Sequence, residues 1–246
     1  MKISVLTLFP EYFDSFKTTS IIKRALDDHL VEFETINFRD YTLDKHNNVD
    51  DTPSGGGAGM LLTCQPIIDA LRSIKNEGSI VVMLTPQGRV FKQETAHKLV
   101  NYDHIILLCG HYEGFDERIR SYVDLELSIG DYVLTGGEAA AIIISDAIIR
   151  LSNNVIKKDS HEDDSHESGL LEYPQYTRPI EYEGKCIPEV LMSGHHENIR
   201  KWRLKESLRK TKKNRPDLLS IHEFTKEERK LMDEIEQEEL LDAIDY

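Results

Sequence analysis

The chain has 246 residues, 39% hydrophobic and 30% charged, which is the balance of a folded globular protein of one large domain or two modest ones and not of a disordered chain. Its longest apolar run, 139–144, is six residues against the roughly 18 of a membrane span, and its three cysteines, Cys64, Cys109 and Cys186, form neither a disulfide framework nor a CxxC zinc pair. The net charge of −14 taken alone argues against a nucleic-acid partner, while MKISVLTLFPEYF, broken at Pro10 and Glu11, lacks the long apolar region of a secretory leader and points to a reducing, cytoplasmic setting.

Short, continuous, β-branched runs at 3–9 (ISVLTLF), 79–84 (SIVVML) and 104–109 (HIILLC) read as strands buried on both faces. The segment 31–38 (VEFETINF) alternates, as a strand with one polar face does. Helical patterns lie between them at 19–29, 66–76, 91–101 and 138–151. Strand alternating with helix predicts an α/β unit: a mostly parallel sheet with helices on both faces, its strand order left open. At 157–168 the sequence becomes KKDSHEDDSHES, twelve residues with no apolar side chain, which cannot pack a core. The expected division is a first domain over 1–158, a flexible linker over 159–172 and a second domain over 173–246. The stretch 170–188 is turn-rich, and 195–244 reads as helices broken at RPDLL.

The average charge hides a segregation. Nine Lys or Arg (Arg200, Lys201, Arg203, Lys205, Arg209, Lys210, Lys212, Lys213 and Arg215) face only two acids between 195 and 215, whereas eleven acids face three bases between 217 and 246. A compact basic patch in an acidic protein is how a phosphate-binding face looks, although a merely solvated helix face fits equally well.

Three glycine-rich loops share one character: SGGGAGM (54–60), CGHYEGFDER (109–118) and SIGDYVLTGGE (128–138). Each abuts an apolar strand, so all three could sit at the sheet edge where α/β folds bind ligands. None carries the Lys of a phosphate loop or the spacing of a dinucleotide fingerprint.

Together GGGAGM, LTPQG (84–88), CGHYEGFDER, LSIGDYVLTGGE and YTRP…SGHHENIRKWRLKESLRKTKKNRPDLL resemble the bacterial tRNA (guanine-N1)-methyltransferases of the SPOUT superfamily, in order and over roughly residues 1–220. The resemblance implies a methyltransferase domain with a deep trefoil knot, a flexible linker and a small helical C-terminal domain that binds tRNA. It also implies a homodimer with shared active sites, S-adenosylmethionine as methyl donor, and methylation of N1 of guanosine 37, just 3′ of the anticodon.

Carried over by motif, the cofactor residues are Leu84, Thr85 and Pro86; Gly110, Tyr112, Glu113 and Gly114; and Ser128, Ile129, Gly130, Asp131, Tyr132, Val133, Leu134, Gly136 and Gly137. The family's catalytic Arg falls on Arg150. Its catalytic Asp falls on Asp164 of the D-S-x-x-x-G-L-L stretch, with Asp163 beside it. The chain departs from the family pattern at His111, where Arg is usual, at Ala58, at His166 and near Ala140.

N1 of guanine carries a proton, so methylation there needs a base and a partner for the charge that develops on O6; the resemblance implies that Asp164 and Arg150 would supply these. The cluster HEDDSH (161–166) lacks the rigid spacing of a structural metal site, and a Mg²⁺ requirement is left open and tied to no residue. Two other functions compete: a related SPOUT enzyme acting on another base or a ribose 2′-OH, and a non-catalytic RNA-binding adaptor.

Overall fold

The computed structural model of the chain describes residues 1–156, 165–167 and 169–244. They fall into two compact units, Met1–Lys157 and Lys158–Tyr246.

In the first unit the strands are β1 (Lys2–Thr7), β2 (Glu32–Asn37), β3 (Asp50–Asp51), β4 (Leu61–Leu62), β5 (Ser79–Val90), β6 (His104–Cys109) and β7 (Leu125–Ser128). The helices are α1 (Asp14–Thr18), α2 (Ser20–Asp27), α3 (Cys64–Ile74), α4 (Gln93–Leu99) and α5 (Glu138–Ile149). The main sheet has the order β2-β1-β6-β5-β7, and every pairing in it is parallel. Strand–helix alternation predicts this α/β, parallel arrangement, and the runs read as strands at 3–9, 31–38, 79–84 and 104–109 become β1, β2, β5 and β6. The sequence reading missed β7.

Continuous apolar runs bury both faces because alternate residues of one strand enter opposite cores. Ile3, Val5, Val82, Ile105 and Leu107 face one cluster, closed by Ile22 and Ala25 of α2, Ala96 and Leu99 of α4, and Ile144 and Ile148 of α5. Leu6, Val81, Met83, Ile106 and Leu108 face the other, closed by Phe38, Ile119 and Ile67, Ala70 and Leu71 of α3. The sheet is therefore covered on both sides.

The second unit holds the hairpin β8 (Glu181–Tyr182) and β9 (Lys185–Cys186), then α6 (Glu189–Met192), α7 (His196–Asn214), α8 (Pro216–Ser220) and α9 (Lys226–Ile244). Pro216 opens α8 as a first-turn residue, so RPDLL separates the long helices as a short one. Leu170, Leu208, Leu231 and Ile235 form the core of this unit. The Leu171 N–H donates to Thr211 Oγ1 at 2.9 Å, so the described end of the 159–172 stretch packs against α7.

One polar cluster lies inside the first unit. His104 is 3% exposed; its Nε2 lies 2.7 Å from Ser4 Oγ and its Nδ1 2.9 Å from Ser79 Oγ. Ser4 Oγ donates to Glu34 at 2.6 Å. With that proton committed, Nε2–H donates to Ser4. Burial, and then the nearby Lys2 ammonium, push the His104 imidazolium below its ordinary range.

A depressed folded-state value means that the unfolded chain takes up the proton first. The resulting stability is complete above about pH 6.5, the ordinary His value, and is lost as pH falls toward the folded value. Urea midpoints measured from pH 8 to pH 5 should fall below about pH 6.5 in the wild type. His104→Gln should flatten that decline while lowering stability at pH 8.

Candidate active site

β6 and β7 end on either side of a bulge in β5 between Leu84 and Arg89, with Leu84 opposite Cys109 on one side and Leu127 on the other. The loops leaving them enclose a cleft of about 380 Å³. Of the sequence-predicted cofactor residues, Leu84, Thr85, Pro86, Gly110, Tyr112, Glu113, Gly114, Ser128, Ile129, Gly130, Tyr132, Val133, Leu134, Gly136 and Gly137 line this cleft, and Asp131 does not. Gln87, His111, Phe115, Glu117, Arg120, Leu127, Thr135 and Ala140 also line it. Of these, Gln87, His111, Phe115, Glu117, Leu127 and Thr135 stand inside the matched motifs, which is the signal that could have found them.

The cleft walls are main chain brought close. The Gly137 N–H donates to the Gly110 carbonyl at 2.9 Å, and a Cβ on Gly137 would lie 2.7 Å from Cys109 Cα and 3.0 Å from Gly110 N. Gly114 has φ +111° and Tyr112 φ +57°, a tight reversal closed by the Gly114 N–H donating to the His111 carbonyl at 3.1 Å. The loop 54–60 is not part of the cleft lining. It lies behind it, where the Glu113 N–H donates to the Met60 carbonyl at 3.0 Å.

Charged groups at the rim are held in place. Arg120 pairs with Glu126 and with Glu117 at 2.8 Å, and donates to Gln87 at 2.5 Å; its guanidinium is pushed up chiefly by the Glu126 hydrogen bond. Arg118 grips Asp116 through two nitrogens and holds that carboxyl well below the usual carboxylate range. Deeper, Glu138 is 3% exposed and reaches both His111 and Thr7.

Of the two catalytic candidates, Arg150 is not brought to this cleft by its own chain. Arg150 is the C-cap of α5, whose amino end forms the cleft wall. A 12-residue helix spans roughly 18 Å, so Arg150 stands a helix length away. Asp164, with Asp163 and most of HEDDSH, lies outside the described residues. Among the described residues no group of three or more His, Cys, Asp or Glu is placed to hold a metal ion. No described helix is long and apolar enough to cross a membrane.

Four of the basic residues on α7 are met by the acidic run on α9. Arg200 pairs with Glu227 at 2.6 Å, Lys205 with Glu234 and Glu238 at 2.9 and 2.8 Å, Arg209 with Glu238 at 2.6 Å and Lys212 with Glu239 at 2.8 Å. Arg215 pairs with Asp217, Lys201 approaches Glu197, and Arg203 lies 4.8 Å over the Tyr173 ring. Among the described residues, Lys210 and Lys213 have no ion-pair partner.

An all-parallel sheet whose central strands open into a glycine-walled cleft defines an α/β protein with a preformed site where such sheets take their ligands. The family model of tRNA (guanine-1)-methyltransferase TrmD matches residues 1–221, and the chain belongs to this family. Similar chains named tRNA (guanine-N(1)-)-methyltransferase include one from Clostridium botulinum (strain 657 / Type Ba4), 54% identical over 94% of this chain and 97% of its own length. One from Clostridium perfringens (strain SM101 / Type A) is 55% identical over 94% and 99%. One from Malacoplasma penetrans (strain HF-2) is 55% identical over 89% and 96%.

Gly137→Ala drives a methyl group into backbone that cannot yield. It should destabilise the chain by roughly 1–3 kcal/mol, the order of overpacking in a tight site. Gly137 has φ −81°, which any residue adopts, so the loss comes from the close approach and not from backbone strain. A melting temperature unchanged from the wild type would remove the close approach as the reason for Gly137.

Proposed function

We propose that this chain methylates N1 of guanosine 37, just 3′ of the anticodon in tRNA, with S-adenosylmethionine as donor. Membership of the tRNA (guanine-1)-methyltransferase family carries the reading, and the cleft supports it. About 380 Å³ suits a small organic ligand. Leu84, Ile129, Leu134 and Ala140 offer apolar surface for a purine, the glycine backbones offer hydrogen-bonding groups at close range, and the Glu113 and Glu117 carboxylates suit a cationic centre. When bound there, the cofactor supplies an electrophilic methyl group on a positively charged sulfur.

The protein's own groups prepare the base. Asp164 accepts the proton from N1, and the Arg150 guanidinium donates to O6, where the displaced charge collects. A carboxylate is a weak base near neutral pH, so stabilising the anionic purine carries much of the barrier.

Arg150 sits a helix length from the cleft of its own chain, which supports a homodimer in which one copy completes the other's site. The outer stripe of α5 favours it too: Ile143, 48% exposed, lies on the same side of the helix as Arg150. Sedimentation showing an active monomer would overturn this. The return of the chain from β7 to the β6 exit supports the deep trefoil knot. The 173–246 segment is proposed as the tRNA-binding domain, joined through 159–172 to a methyltransferase domain over 1–158, in a cytoplasmic enzyme.

The testing experiment is to map the modified nucleotide after incubating tRNA transcript with enzyme and donor. N1-methylguanosine at position 37 is expected, and a methyl group on another base or on a ribose overturns the reading. In single-turnover form on saturating tRNA, Asp164→Asn should slow methyl transfer by roughly 10²-fold or more, while Asp163→Asn costs only a few-fold. The reverse order would move the base to Asp163.

The ion pairs of α7 redistribute the expected tRNA contacts. Among the described residues Lys210 and Lys213 meet no competing acid, whereas Lys205 is engaged twice. Lys210→Ala with Lys213→Ala should weaken tRNA binding and reduce the salt slope by about 1 for each phosphate no longer neutralised. Lys205→Ala should leave that slope nearly unchanged. A flat response to the first pair places the phosphate-binding groups elsewhere.

A further inference from the structure

We propose that Glu138 and His111 are positioning residues of the donor cleft. Glu138, itself outside the lining, holds the His111 ring and through it fixes the spacing of the 110–114 and 136–137 walls. The inference rests on the reading of the cleft as the methyl-donor site.

The contacts form a closed circuit. Glu138 Oε1 accepts from Thr7 Oγ1 at 2.6 Å, and Glu138 Oε2 lies 2.7 Å from His111 Nε2. Thr7 Oγ1 accepts from the Phe9 N–H at 2.9 Å, and the Phe9 ring meets the His111 ring edge-on with centroids 4.8 Å apart. The end of β1, the start of α5 and the exit of β6 are thereby tied at one point. Thr7 is fully buried, and the His111 side chain is 15% exposed on the cleft side.

A desolvated carboxylate is costly, and an apolar side chain of like volume would fill the same space more cheaply. What the acid adds is direction: two oxygens, each met by one donor, fix the imidazole plane. That plane is wedged between the walls. Residue 111 bridges Gly136 through the backbone, and a Cβ on Gly136 would lie 2.5 Å from His111 Nε2 and 2.6 Å from Glu138 Oε2. If the ring is released, the two walls lose their common spacer, and the main-chain groups aimed at a ligand move with them. A purely structural role would lower stability and leave the affinity of the folded molecules alone.

Calorimetric binding of S-adenosylhomocysteine, the demethylated donor, to the full chain separates these cases, with melting temperatures measured alongside. His111→Phe keeps a ring and loses the N–H. His111→Gln restores an amide N–H toward Glu138, and Glu138→Gln leaves one of the two donors unmatched. His111→Phe and Glu138→Gln should weaken binding about tenfold or more, the order expected when a buried charged acceptor loses a partner. His111→Gln should recover most of the loss. In turnover, KM for the donor should rise more than kcat falls. Ile67→Ala, in the core on the other face of the sheet, should lower the melting temperature as much yet hold affinity within about twofold, because it does not itself line the cleft. Wild-type affinity in His111→Phe, or affinity that follows melting temperature through all four variants, overturns the proposal. A wild type that does not bind the compound overturns the donor-cleft reading, and this proposal falls with it.

Discussion

Two backbones meet where Gly137 N–H donates to the Gly110 carbonyl at 2.9 Å, and much of the first unit depends on that approach. It brings the start of α5 onto the exit of β6, so the chain leaving β7 must return across the carboxyl ends of the sheet. The loop made by that return is one wall of the cleft. The body of α5 then runs down the sheet face with Ala140, Ala141, Ile144, Ile148 and Ile149 inward, closing the core that the strands need. A side chain at Gly137 would hold the two segments apart, and cleft and core would open together.

The second unit shows how charge is settled at a distance. Arg200, Lys205, Arg209 and Lys212 sit on the side of α7 that packs α9, and Glu227, Glu234, Glu238 and Glu239 meet them around an apolar centre of Leu208, Leu231 and Ile235. Partly exposed pairs of this kind each contribute little, and apolar burial holds the helices together. Their larger effect is on the surface field, because cations already matched by acids attract phosphate weakly. A run of nine basic residues therefore overstates the positive surface that the helix presents.

The strands β1, β5 and β6 were legible because a strand buried on both faces must be continuously apolar, and little else in a short segment reads that way. The four residues of β7 were not, because Leu125, Glu126, Leu127 and Ser128 alternate like a loop edge and gain their place only by pairing with β5. Glycine content marked three loops, but it reports backbone freedom and not location. Two of the loops line the cleft, and residues 54–60 support Glu113 from behind. The pairing of α7 with α9 and the Thr7–Glu138–His111 circuit join residues about 30 to more than 100 positions apart, which no local pattern reveals.

The electrostatics of the cleft follow from the same helix. The amino end of α5 carries a partial positive charge that suits an anion, and TGGE ahead of an apolar helix has the look of a phosphate site. Glu138, in the first turn of α5, sets a full negative charge against that partial positive one. Glu113 and Glu117 add two more carboxylates at the lining. The positive end of the helix is thus offset from within the protein, and the cleft is left able to accept a ligand with a cationic centre. A free phosphate would meet the Glu113 and Glu117 carboxylates there, with Arg120 as the cation and that cation already engaged by Glu117 and Glu126. The charges at the lining therefore suit the cationic sulfur of the proposed donor better than a nucleotide phosphate, although both kinds of ligand can carry the same purine.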